Sequence, residues 1–180
     1  MAYPIFVAEN MQSTVDGSKL RSGRFQTAGT DAIVNNGGLV MLDGTVTSNR
    51  DLHKCKVPTA ITTTNLYILD GSELVYSEET TKGLDDFRNL AGQNVGLRRP
   101  VVGDEFSISS AGITPITTEA AIAVGSFLIP TAGAVIPVEV AAAGGTESFV
   151  AEIVDTYTMG YDAIGGRAIT MFGCVVTKVV

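Results

Sequence analysis

Tryptophan is absent from this chain of 180 residues, histidine occurs once and cysteine twice. Without tryptophan it lacks the broad aromatic platform that a sugar-binding module would present on a concave face. The lone histidine, His53, sits beside Lys54 with no serine or aspartate signature around it. It is therefore read as a surface or half-buried structural residue, and a Ser-His-Asp mechanism is not expected. Cys55 and Cys174 lie far apart in apolar runs, with no CxxC and no Cys/His pairing. Zinc is not expected, and two buried free thiols are preferred to a disulfide.

Charge is scarce as well. Charged residues make up 17% of the chain, below the usual quarter. Twelve Lys and Arg face nineteen Asp and Glu, a net charge of −7, and the pI is about 4.6. That balance argues against nucleic acid, whose phosphates are held by clustered Lys and Arg. It suits solubility, or an encounter with a positively charged surface. The longest apolar run falls short of the ~18 residues of a membrane span. The first residues carry no basic n-region and no apolar h-region, so no secretory signal is expected and synthesis is placed in the cytoplasm.

Catalytic signatures are equally thin. Acidic pairs occur at Glu78-Glu79, Asp85-Asp86 and Asp104-Glu105. Neighbours on a strand point to opposite faces, which does not suit two carboxyls cooperating across a cleft. They are read as solvated loops. Asn36-Gly37-Gly38 is followed by no helix with a lysine, so it is not a phosphate loop. There is no EF-hand calcium loop. An enzyme is not expected, and no cofactor or metal is.

What remains is strand and turn material. Hydrophobic residues reach 45%, and the uncharged polar remainder is Thr, Ser, Gly and Asn. Short apolar runs cover 39–42, 66–69, 74–76, 106–108, 127–129, 135–140, 149–156 and 174–179, separated by turn signals such as Asn35-Asn36-Gly37-Gly38, Asp43-Gly44 and Asp70-Gly71. This spacing predicts an all-β fold of small barrel or sandwich units, with one or two short helices. Helical turns are expected over 84–90, closed by Gly92, and from Thr114-Pro115 to about Ala123. Val102-Gly103-Asp104-Glu105-Phe106 is echoed weakly by Val124-Gly125-Ser126-Phe127.

Three regions are expected. Residues 1–26 form an N-terminal extended arm with Pro4 inside its apolar patch, lying along its own surface or a neighbour's. Residues 27–112 form a first barrel-like domain with a polar insertion at 77–101, and 113–180 form a second β unit. Candidate contact residues are Tyr3, Ile5 and Phe6 in the arm, whose apolar side chains would be wasted in a frayed end. In the insertion they are Phe87, Arg98 and Arg99. Phe87 is either core or anchor. Arg98-Arg99 is either an anchor for an acidic partner or an internal ion pair with Asp85 or Asp86. The glycine-rich stretch 157–167, with two tyrosines, suits a contact surface.

The order of motifs resembles a family of tailed-phage structural proteins. The features are Asn36-Gly37-Gly38-Leu39-Val40, Pro58-Thr59-Ala60, Tyr76, Leu84-Asp85-Asp86-Phe87-Arg88-Asn89-Leu90-Ala91-Gly92, Leu97-Arg98-Arg99 and Gly103-Asp104-Glu105-Phe106-Ser107-Ile108. Phe149 to Val154, followed by Gly160-Tyr161, continues it. The chain departs from the pattern at Gly38, an extra glycine, and at Pro100. The family is similar to capsid decoration, or cement, proteins. The resemblance implies a virion protein on the outer surface of the capsid. Its partners would be the major capsid protein and neighbouring copies of itself, a homotrimer among the arrangements, with no nucleic acid and no membrane. The alternatives are a tail-tube or other self-assembling virion subunit, and a carbohydrate-binding β module.

Overall fold

The computed structural model describes residues 3–46, 49–71, 87–160 and 168–180. Its elements in chain order are β1 (Phe6–Asn10), α1 (Gln12–Val15), β2 (Leu20–Thr27), β3 (Thr30–Asp31), β4 (Leu39–Val46), β5 (Asn49–Lys56) and β6 (Leu66–Leu69). There follow β7 (Val95–Arg98), β8 (Glu105–Ser109), β9 (Phe127–Ile129), β10 (Val138–Val140), β11 (Phe149–Met159) and β12 (Ile169–Val179). The fold is all-β, as the turn spacing implied.

The strands form two six-stranded sheets. One is open, in the order β1-β8-β12-β11-β9-β10; the other runs β3-β2-β5-β4-β6-β7. In the second, β2 also pairs with β7, so β2, β5, β4, β6 and β7 close into a ring. Closure removes exposed strand edges. Its one parallel pairing is β2 with β5, Ser22 opposite Leu52 through Phe25 opposite Cys55.

Every residue of β6 is buried, Leu66, Tyr67, Ile68 and Leu69 alike. Successive side chains on a strand point to opposite faces. Tyr67 and Leu69, with Val40 of β4, enter the barrel interior beside Phe25, Cys55, Val95 and Leu97. Leu66 and Ile68, with Leu39, face outward into a larger core with Phe106, Ile108, Phe149, Ile153 and Phe172 of the open sheet. Full burial of such a side chain is worth about 1.5–3 kcal/mol. An exposed ion pair is worth roughly 0–1 kcal/mol. Apolar alternation, not charge, therefore holds the register of β4 and β6 and locks barrel to sheet.

The weak echo between 102–106 and 124–127 has a structural meaning. Gly103 and Gly125 both adopt a left-handed φ, +93° and +89°. Each amide then donates to a carbonyl of the neighbouring strand, Gly103 to Val176 at 2.8 Å and Gly125 to Ile153 at 2.7 Å. The return bonds run from Val176 to the Asp104 carbonyl and from Ile153 to that of Ser126, both at 2.9 Å. One turn thus launches both β8 and β9. The buried Asp104 adds side-chain bonds, accepting from the amides of Gln12 and Val101, each at 2.8 Å.

Several expectations change. The segment expected as an arm along the protein's own or a neighbour's surface is built into the chain's own sheets: β1 pairs with β8 and β2 is a barrel strand. The sheets do not divide at 112/113, because β1 and β8 join the sheet made by later residues. Asp43-Gly44 is no reversal. It lies within β4 at a register shift, where Gly44 at φ +82° makes a bulge. Thr114 begins no helix, because its amide bonds to Pro137 and its carbonyl to Glu139, and only a 3₁₀ turn forms, at Glu119–Ala121. The helical turn is α1, within the stretch read as lacking periodicity. Of the helix expected at 84–90, residues 84–86 lie outside the described residues, and Asn89 is extended, bridging to Val34. The strand expected at 74–76 lies outside them too. Of 157–167, residues 157–159 continue β11, and 161–167 lie outside.

A Cβ built on Gly96 of β7 would sit 2.4 Å from the backbone carbonyl of Asp70. Backbone cannot step aside, so Gly96→Ala is expected to lower stability by about 1–3 kcal/mol, read as a lower denaturant midpoint. An unchanged midpoint would contradict this packing. Burial also raises the thiol pKa values of Cys55 and Cys174 to about 12. The thiolate is the reactive form. Both thiols should resist a disulfide reagent at pH 8 in the native protein and react once it is denatured. Rapid native labelling of either would show that its placement is wrong.

Candidate partner-binding surfaces

Two surfaces draw on residues that the sequence singled out. The first is the root of the polar insertion. Asn36, in the turn before β4, has its side chain buried beneath it. Its amide nitrogen donates to the Gly71 carbonyl at 2.9 Å, and its side-chain oxygen accepts from the Gly71 amide at 2.8 Å. The same oxygen accepts from the Asn89 side chain at 2.9 Å. One buried side chain therefore ties Gly71, before the insertion, to Asn89 within it. Asn89 is held again by Val34, amide to carbonyl in both directions at 3.0 and 3.1 Å.

This clamp places residues 87–90 beside the chain's beginning. The Arg88 guanidinium lies over the Tyr3 ring, 5.3 Å from its centre, a cation–π contact. Phe87 and Tyr3 are half-buried. Ile33 and Leu90 flank the Val34–Asn89 bridge and are 47% and 57% exposed. The N-terminal segment and the insertion thus meet at the Tyr3–Arg88 contact, and with Phe87 next to Arg88 in the chain and Ile33 and Leu90 flanking the neighbouring bridge they make a candidate patch. Scattered exposed apolar residues are ordinary, but a group of them rimmed by polar residues marks a contact site.

The second surface is a groove of about 630 Å³ along β5, β2 and β7, lined by Leu20, Arg21, Ser22, Arg50, Asp51, His53, Asp70, Gly96 and Arg98. Arg21 donates to the carbonyls of Ser18 and Leu20 at 3.0 and 2.8 Å. Among the described residues neither Arg21 nor Arg50 pairs with a carboxylate. Arg98 does: its Nε donates to Asp70 Oδ2 at 2.5 Å, and its Nη1 to the hydroxyls of Ser13 and Thr14 at 3.2 and 3.4 Å. Arg98 is thereby tied to α1 as well as to the barrel.

The six sequence candidates separate. Ile5 and Phe6 belong to the chain's own core, 1% and 4% exposed. Ile5 exchanges bonds with Ser109, and the Phe6 ring stacks 5.6 Å from Phe106. They are not open to a partner, because β1 completes the open sheet. Arg98 has an internal partner, but it is Asp70; Asp85 and Asp86 lie outside the described residues. Arg99 is exposed, with one long bond, at 3.4 Å, to Asn65. Tyr3 and Phe87 join the patch. Sequence reasoning missed Asn36, read only as a turn residue, and Arg21 and Arg50, single charges on strands that only tertiary pairing makes neighbours.

The folded chain also sorts its charge. On the barrel and the segments feeding it stand Lys19, Arg21, Arg24, Arg50, Lys54, Lys56, Arg88, Arg98 and Arg99, against Asp16, Asp31, Asp43, Asp51 and Asp70. Elsewhere the described residues hold Lys178 alone against Glu9, Asp104, Glu105, Glu119, Glu139, Glu147, Glu152 and Asp155. No described group of three His, Cys, Asp or Glu is placed to hold a metal, and no described helix is long and apolar enough to cross a membrane. Comparison with family models, with curated proteins and with solved structures finds no match to this chain.

The Arg98–Asp70 pair is largely shielded, its side chains 19% and 24% exposed. A double-mutant cycle with Arg98→Ala and Asp70→Ala should give a coupling of roughly 0.5–1 kcal/mol, smaller in 1 M salt. Additive losses would mean that the two side chains do not support each other.

Proposed function

We propose that this chain is a virion structural protein that binds the outer surface of a tailed-phage capsid and stabilises it as a decoration protein. The observation that carries the reading is the Tyr3–Arg88 contact at the root of the insertion, with the exposed Ile33 and Leu90 flanking the adjacent Val34–Asn89 bridge. The order of motifs in the sequence supports the same class. So does the architecture, a barrel and a sheet locked through one core, which offers a rigid body on which to mount a contact patch.

Each copy would meet the major capsid protein through this patch, with Arg99 nearby in sequence as a further charge. A single such contact can be weak, since symmetry repeats it over the shell. The patch replaces Ile5 and Phe6 as the place where the N-terminal segment serves a partner. Deleting residues 1–10 is accordingly a poor test, because it would strip β1 from β8. The tail-tube alternative is kept because the separation of charge favours copy-to-copy contact. Tubes formed from purified protein that ignores heads would support it.

Mixed with undecorated expanded heads, the protein should co-sediment with them and raise the temperature at which they rupture. Ile33→Asp combined with Leu90→Asp should weaken this binding at least ~10-fold, since burying one aliphatic side chain is worth about 1.5–3 kcal/mol. The variant's unfolding midpoint should stay near that of the parent, both side chains being exposed. Protein left wholly in the supernatant would overturn the decoration reading. A variant that binds like the parent would overturn the patch.

A further inference from the structure

The outer face of the open sheet is acidic, and among the described residues no cation pairs with it. Across β8, β12 and β11, Glu105, Val175 and Glu152 register as one row, and Ser107, Gly173 and Asp155 as the next. A register shift between Ile153 and Asp155 turns Asp155 to the same face as Glu152. Glu9 joins them from β1, its carboxylate accepting from the hydroxyls of Ser107 and Tyr157. Around these carboxylates stand Val7, Val154 and Tyr157, 37%, 47% and 38% exposed.

Carboxylates gathered on one sheet face repel one another. Among the described residues no Lys or Arg pairs with any of them. All three ion pairs lie within the barrel: Arg24 with Asp31, Lys56 with Asp43, and Arg98 with Asp70. Among the described residues the cations of the barrel and the carboxylates of the sheet thus belong to one chain and do not meet.

We infer that copies of this chain join head to tail, the acidic outer face of one open sheet seated on the cationic groove of the next copy's barrel. Arg21 and Arg50, paired with no carboxylate among the described residues, meet Glu105, Glu152 and Asp155, while Val7, Val154 and Tyr157 supply apolar contact around them. The two surfaces differ, so the contact is heterologous. It extends a row of copies, or closes a ring where the rotation permits. Charge complementarity chooses the occupant: with Asp70 taken by Arg98, Arg21 and Arg50 outnumber Asp51 in the groove, and the chain carries an acidic surface of its own to meet them. The inference does not rest on the decoration reading, because it concerns copies alone.

The test uses the intact protein without heads, its mass followed by sedimentation velocity against concentration and salt. Association is expected in ~50 mM salt and should weaken at least ~10-fold near 500 mM, where the screening length falls to about 4 Å. Two charge-reversal variants follow, Arg21→Glu with Arg50→Glu, and Glu105→Lys with Glu152→Lys. Each alone should remain monomeric, since like charges then face each other. Mixed in equal amounts they should associate again, each supplying the surface that the other needs, a rescue that misfolded variants cannot produce. A parent protein that stays monomeric at high concentration in low salt would overturn the inference. So would association indifferent to salt, or a mixture no better associated than either variant alone.

Discussion

The structure depends on one short strand that has no solvent face. β6 buries all four of its residues, and the alternation of side chains along it decides which core each one enters. Tyr67 and Leu69 fill the barrel, while Leu66 and Ile68 fill the layer beneath the open sheet. Slipping this strand by one residue would exchange the two sets and misfit both cores at once. The barrel is therefore not a separate bead beside the sheet. Its wall is the floor of the neighbouring core, and a partner bound to one part is held rigidly with respect to the other.

From that constraint follow the positions of the contact surfaces. The Asn36 side chain works because the turn carrying it ends against Gly71 at the close of β6 and against Asn89 within the insertion. Gly71 and Asn89, distant in sequence, thus rest on one buried amide. Arg98 has a comparable part on the far side, tying β7 to Asp70 and to the hydroxyls of α1. Charges that strengthen the scaffold are thus consumed inside it, whereas Arg21, Arg50 and Arg99 are left outward-facing. The net charge of −7 is a sum and conceals this division of the described charges between a cation-rich barrel and an acidic sheet.

Much of the strand pattern was legible in the residues. The runs at 39–42, 66–69, 106–108 and 127–129 are strands because β-branched and aliphatic side chains there leave no other burial. The glycines before Phe106 and Phe127 were visible as an echo, and both prove to launch strands. Other signals were ambiguous in principle. Thr-Pro can open a helix, but the backbone groups of Thr114 are claimed by Pro137 and Glu139. Asp-Gly can reverse a chain, but at Gly44 the same left-handed backbone bends a strand that continues. Polar residues near the start gave no period, yet they fold into α1 and β2 because distant partners pair with them.

Of the candidate surface, the sequence supplied the insertion, its arginines and the aromatic at position 3, because unusual local composition is a local property. It also determined the all-β class, since the spacing of apolar runs and turn residues leaves no room for long helices. Only tertiary structure decided that Ile5 and Phe6 are core, that Arg98 answers Asp70, and that Arg21 lies beside Arg50. Those facts depend on which strands become neighbours across dozens of residues. Pairing of that kind is chosen by the joint burial of two cores, a property of the assembled chain and of no single stretch within it.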